Sequence, residues 1–244
     1  MLEFINNKMK KIILFLSLIF LFNSYIHSQK NYASDVENLL SKMTLDEKIG
    51  QMNQYNGFYD ATGPEPLGGE NRDKFNNLKN GQIGSMLNVR GAEQVRAFQR
   101  IAVEETRLGI PLIFGFDLIH GYKTIAPIPL AESASWDLEE IQNSASLGAK
   151  EATAAGINWT FAPMVDISRD ARWGRVMEGA GEDPYLASLI AIARVKGFQG
   201  KDLSSNFTLA ACAKHFAAYG FVESGRDYNT VDIGLNTLHN IVLP

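Results

Sequence analysis

"PLIFGFDLIHG", residues 111–121, decides the fold. Pro111 opens an apolar run that continues through Phe116 and ends on Asp117, with His120 and Gly121 just beyond it. A strand with no polar alternation is covered on both faces, as the strands of a parallel sheet are. The segment before it, "GAEQVRAFQRIAVEETRLG" (91–109), spaces its apolar residues as one face of a helix and is closed by Gly109. Amphipathic helix, buried strand, polar strand end: this unit recurs along the chain.

Thr44 and Glu47 stand in capping-box spacing at the start of "SKMTLDEKIGQM" (41–52), where Leu45, Ile49 and Met52 recur at helical intervals. "GQIGSMLNV" (81–89) reads as a short buried strand. Asp137 and Glu140 cap a helix that runs to Gly156, and "INWTFAPMVD" (157–166) is the next strand. Asp183, followed by Pro184 at the first helical position, opens a helix to Gly197 with Leu186, Leu189, Ile190 and Ala193 facing inward. "TLAACAKHF" (208–216) is a further strand, and "LNTLHNIVLP" (235–244) starts a further helix. Apolar strands alternating with amphipathic helices make an α/β chain with a parallel sheet, closed either as a doubly wound sheet or as a (β/α)8 barrel. No G-x-G-x-x-G follows any strand, and the Gly-x-Gly of "EGAGED" comes about a dozen residues after its strand, so neither it nor a Walker A sequence suggests a nucleotide site.

Composition sets further bounds. The 244 residues are 45% hydrophobic and 20% charged, enough for one sizeable core. A net charge of −4 without a basic run speaks against a nucleic-acid partner. Cys212 is the single cysteine, so no internal disulfide framework exists. Lys8, Lys10 and Lys11 precede the apolar run "IILFLSLIFLF" (12–22), and Ser28 suits the last residue before a cleavage site. Residues 1–28 therefore read as a secretory signal peptide, too short in its apolar part for a stable membrane anchor, which implies a periplasmic or secreted product.

Three successive strands carry ionisable residues at their C-terminal ends: Asp117 with His120, then Asp166, then Lys214 with His215. In a barrel that is the face on which active sites are built. By type the residues suit a polyol, because a carboxylate accepts from vicinal hydroxyls while Arg, Lys and His donate to them. Trp159 or Trp173 could pack on a sugar ring, although core positions are the commoner fate of such residues. The histidines, His27, His120, His215 and His239, show no metal-ligand spacing, so no metal or other cofactor is expected. In "RDARWGRVMEGAGEDP" (169–184) the acids suit local roles: Asp170 beside its arginines, Glu178 for Arg175, and Asp183 as a helix cap.

"GFDLIHG" (115–121), "FAPMVDISRDARWGRVMEGAGEDPYL" (161–186) and "AKHFAAYG" (213–220), with "MTLDEKIGQM" (43–52) before them, resemble the N-terminal barrel domain of glycoside hydrolase family 3, especially its periplasmic β-glucosidases. The resemblance implies a partial (β/α)8 TIM-type barrel of about the first four βα units over residues 29–244. It implies an exo-acting β-glucosidase that works with retention on a β-linked oligosaccharide or glucoside. By motif, Asp117, Arg175, Lys214 and His215 would hold the hydroxyls of the terminal glucosyl unit, and Asp227 in "GRDYNT" would lie near the acid/base. Retention needs two carboxyl groups about 5–5.5 Å apart. The family's nucleophile and acid/base are expected beyond Pro244, in a C-terminal part of the same polypeptide, so the 244 residues alone are expected to be inactive. A β-xylosidase of the same family, or a non-catalytic carbohydrate-binding scaffold of the same fold, is the alternative.

Overall fold

The computed structural model describes residues 32–244, so the signal-peptide reading of residues 1–28 lies outside the described residues. The chain divides into two compact units at Met43 and Thr44. In the first, helix α1 (Ala33–Lys42) leaves Val36 and Leu40 exposed. No helix among the described residues is long and apolar enough to cross a membrane.

The second unit begins with α2 (Leu45–Gln51), and the expected capping box is present. Thr44 Oγ1 accepts from the Glu47 backbone N–H at 3.2 Å, and Glu47 Oε2 accepts from the Thr44 N–H at 2.8 Å. The stripe that marked this helix faces outward, however: Leu45, Ile49 and Met52 are all exposed. Glu47 and Gly50 are buried instead, and a Cβ on Gly50 would stand 2.4 Å from Gln82 Cα. Close backbone approach, rather than apolar area, seats this helix.

Arg107 grips both oxygens of Glu47, and this guanidinium, followed by the Thr44 N–H, holds the Glu47 carboxyl down at about 2 from an ordinary 4.5. A depressed folded-state value means that the stabilisation is complete above pH 4.5 and disappears as pH falls toward 2. Thermal melts of the wild type and Glu47→Gln should therefore differ at pH 6 and converge near pH 2. A gap that persists unchanged to pH 2 would exclude this origin.

Five short strands follow in chain order: β1 (Gln54–Asn56), β2 (Ser85–Leu87), β3 (Ile113–Phe116), β4 (Trp159–Thr160) and β5 (Ala210–Ala211). Each pairs in parallel with the next, in the order β1-β2-β3-β4-β5, and β1 and β5 are the two edges of an open sheet. The sheet thus holds one strand more than the sequence pattern indicates. β1 is the short polar stretch Gln-Tyr-Asn, which carries no apolar run to betray it. The outer strands are also shorter than read, yet their pairing continues past the regular part. Cys212 N–H donates to Ala162 O and Lys214 N–H to Pro163 O, and Val165 N–H donates to Lys214 O.

Between the strands lie α3 (Gly69–Lys79), α4 (Ala92–Glu104), α5 (Pro129–Ser133), α6 (Leu138–Ala154) and α7 (Pro184–Gln199); α8 (Leu235–Thr237) passes into a π turn, Leu238–Val242. α4 ends at Glu104, before Gly109, because Thr106 Oγ1 turns back to Ala102 O and also accepts the Gly109 N–H. Asp137 and Asp183 cap α6 and α7 as expected, accepting from the Glu140 and Leu186 N–H groups. α6 and α7 cross closely at Gly197, where a Cβ would come 2.4 Å from Gln142 O. Phe75, Met86, Phe98, Phe114, Ile157 and Phe198 fill the main core. With the helices anchored by this core, the C-terminal strand ends are left to carry polar side chains.

Candidate functional site

Those strand ends converge. Asp117 directly follows β3, and Lys214, just past β5, reaches it across β4: Lys214 Nζ donates to Asp117 Oδ1 at 2.6 Å. The next residue, His215, turns to Asp166 at the end of the β4 extension. Asp166 Oδ2 accepts the His215 backbone N–H at 3.1 Å and faces its Nδ1 at 2.7 Å. The Lys214–His215 and Phe216–Ala217 peptides are cis.

Arg175 arrives from the loop after β4. Trp173, completely buried in a small cluster with Met164 and Val222, anchors that loop. Glu178 takes the guanidinium in a fork, Nε to Oε1 at 2.6 Å and Nη2 to Oε2 at 2.8 Å, and this pairing raises the guanidinium above its ordinary value. The remaining amino group, Nη1, stands 3.4 Å from His215 Nε2. Tyr219 supports both: Arg175 Cζ lies 5.6 Å from its ring centroid, and the His215 ring meets it edge-on at 4.9 Å.

Asp227 closes the arrangement from below. Its Oδ1 accepts from Trp173 Nε1 at 2.9 Å and from Tyr219 Oη at 2.5 Å, and these two bonds, Tyr219's first, lower its carboxyl below the usual range. Tyr219 is shifted upward, by burial first and then by Asp227. Asp227 thus braces the two aromatics that carry Arg175. Trp173 is core, and Trp159 packs on Phe161 at 4.3 Å between centroids. His120 is tied to its own loop, Nδ1 to Ala126 O at 3.1 Å.

The structure therefore brings Asp117, Arg175, Lys214 and His215 together as two neighbouring pairs, Asp117–Lys214 and Arg175–His215, joined through the consecutive residues 214 and 215, with Asp227 behind them. The local roles read in residues 169–184 are also present: Asp170 binds Arg172, which holds the Asp170 carboxyl at about 2. Sequence reasoning left Asp166 without a part and gave Tyr219 none. Asp166 is visible in the sequence only as an acid at a strand end, and its partner lies 49 residues away.

The family profile described as "Glycosyl hydrolase family 3 N terminal domain" matches residues 44–244. A periplasmic β-glucosidase of Salmonella typhimurium is 41% identical over 209 residues, 86% of this chain and 26% of that protein. A putative β-xylosidase of Formosa agariphila is 31% identical over 86% of this chain and 29% of its own length. Among solved structures, the β-glucosidase of Listeria innocua matches in several, two of them complexes with sugars. A variant bound to laminaribiose gives a TM-score of 0.80 at 43% identity, and the complex with glucose 0.77 at 42%; each match covers 86% of this chain and 30% of that one. The chain thus spans between a quarter and a third of the length of these relatives.

Proposed function

The chain belongs to glycosyl hydrolase family 3 and matches that family's N-terminal domain, and from that premise we propose that it is the sugar-holding part of an exported exo-β-glucosidase. Asp117, Arg175, Lys214 and His215 hold the hydroxyls of a terminal, non-reducing β-D-glucosyl unit. The observation that carries this reading is their convergence at the C-terminal ends of the strands: the 2.6 Å Lys214–Asp117 pair and the 3.4 Å Arg175–His215 approach present both donors and acceptors on one face. The nucleophile and the acid/base of the retaining reaction come from the remainder of the polypeptide, in keeping with a domain that covers 26–30% of its relatives. Residues 1–28 act as its export signal, leaving a domain that starts near residue 29.

Chemically, this group binds and orients without breaking a bond. Lys214 and the spare Nη1 of Arg175 donate to hydroxyl oxygens, and Asp117 accepts hydroxyl hydrogens. Asp227 acts at one remove, by fixing the aromatic floor under Arg175. Arg175→Ala should lower kcat/KM for aryl β-glucosides about 10- to 100-fold in the active enzyme built on this domain, with the fold retained and a melting temperature lower by a few degrees, because Glu178, 12% exposed, loses its partner. Unchanged kinetics would remove Arg175 from the site. The similarity to the Formosa agariphila protein supports β-xylosidase as a second reading, and the ratio of kcat/KM on paired aryl glucosides and xylosides separates the two.

A further inference from the structure

We propose that Asp166 is a positioning residue that holds His215 in its Nδ1–H tautomer, so that Nε2 meets the sugar as a hydrogen-bond acceptor. The proposal rests on the reading that His215 touches sugar. A single carboxylate oxygen, Asp166 Oδ2, takes both the backbone N–H of His215 at 3.1 Å and the ring at Nδ1, 2.7 Å away. An oxygen already accepting one N–H leaves Nδ1 the donor's part in the second bond. The Asp166 side chain is 1% exposed, so water does not compete for this oxygen. Gripped at backbone and ring together, the imidazole keeps one orientation.

The other ring nitrogen points to the same conclusion independently. Arg175 Nη1, 3.4 Å from Nε2, belongs to a guanidinium, which has hydrogens to give and no lone pair to offer. A bare Nε2 faces that group favourably, whereas an Nε2–H would set hydrogen against hydrogen. Tyr219, the other ring against His215, meets it edge-on and sends its hydroxyl to Asp227 instead. A neutral imidazole with Nδ1–H is thus matched on both sides.

This assignment specifies the ligand group. With Nε2 an acceptor and Arg175 Nη1 a donor 3.4 Å apart, one hydroxyl that displaces this long contact satisfies both, giving its hydrogen to the Nε2 lone pair and taking one from Arg175. An ether oxygen or a fluorine fills only half of that role. His215 joins Asp117 as an acceptor, and Lys214 and Arg175 are the donors.

The test is long-range ¹H–¹⁵N correlation of the ¹⁵N-labelled histidine rings in the active enzyme built on this domain, at a pH where the His215 ring is neutral, with Asp166→Asn and Asp166→Ala beside the wild type. Expected is a protonated Nδ1 and a bare Nε2 for His215 in the wild type, with the population moving toward Nε2–H in Asp166→Ala. An Nε2–H tautomer in the wild type overturns the proposal, as does an Nδ1–H tautomer that survives removal of the carboxylate. If neither variant folds by circular dichroism, the wild-type spectrum decides alone. Saturating glucose is the second arm. A shift of the His215 Nε2 resonance supports the sugar contact, and glucose binding should weaken about tenfold or more in Asp166→Asn. A ring in the expected tautomer that ignores glucose overturns the contact while leaving the Asp166–His215 bond standing.

Discussion

Lys214→Met is expected to lower kcat/KM about 100-fold or more in the β-glucosidase proposed above, while leaving the fold intact. The ammonium does two things at once. It neutralises Asp117 at 2.6 Å, and it is the one lysine in the group that can give hydrogens to sugar oxygens. A hydrogen bond to a charged group contributes about 1.5–3 kcal/mol, and its loss leaves Asp117 facing substrate without its counter-ion. Stability should barely move, since the Asp117 side chain is 38% exposed and solvent screens the pair, a situation in which such pairs contribute about 1 kcal/mol or less. Methionine keeps the length and apolar stem of the side chain, so packing is preserved. Kinetics with a thermal melt on the same preparation check both halves. Wild-type kcat/KM in Lys214→Met would place the sugar elsewhere.

The largest loss of stability is expected from Arg194→Met, about 3–5 kcal/mol. Arg194 on α7 and Glu132 on α5 form an ion pair at 2.7 Å with both side chains 6% exposed. Burial pulls the guanidinium below its ordinary value, and Glu132 pushes back. Glu132 also accepts from Ser144 Oγ of α6 at 2.6 Å, and Arg194 Nη2 donates to Ile119 O in the loop after β3. Removing the cation strands a buried carboxylate, and at about 2–4 °C per kcal/mol for a chain of this size the melting temperature should fall by about 6–20 °C. The double variant Arg194→Met with Glu132→Leu should regain much of this, though not all, because Ile119 O and Ser144 Oγ stay without their partners. A single variant that melts with the wild type would show that the pair carries no such weight. Ile119 lies two residues beyond Asp117, so the clamp also holds the site's loop to the helical layer.

What could be read from the sequence followed from local rules. Thr44, Asp137 and Asp183 announce their helices by cap spacing, and the apolar run ending at Phe116 announces a strand, although it is not covered on both faces as expected, since Ile113 is 49% exposed. The strand-end positions of Asp117, Lys214 and His215 pointed to one face, and Arg175 with Glu178 was visible as a spacing of three. What could not be read depended on neighbours distant in sequence. β1 is a polar tripeptide that becomes a strand only because Ser85–Leu87 runs beside it, and α3, "GENRDKFNNLK", buries only Phe75 and Leu78. The outward stripe of α2 misleads, because Gly50 seats that helix against the Gln82 backbone. Asp166 acquires its part only through the register that sets Met164 beside Lys214.

Strand order that follows chain order bears on how this protein is made. As each βα unit leaves the ribosome it can dock on the edge left by its predecessor, without waiting for a partner still to be synthesised. The growing sheet keeps two unpaired edges, β1 and the newest strand, and either can pair with another nascent chain. The site obeys a different schedule. Its Lys214–Asp117 bond joins residues 97 apart, so Asp117 is translated long before its cation and the pair forms only once β5 has followed.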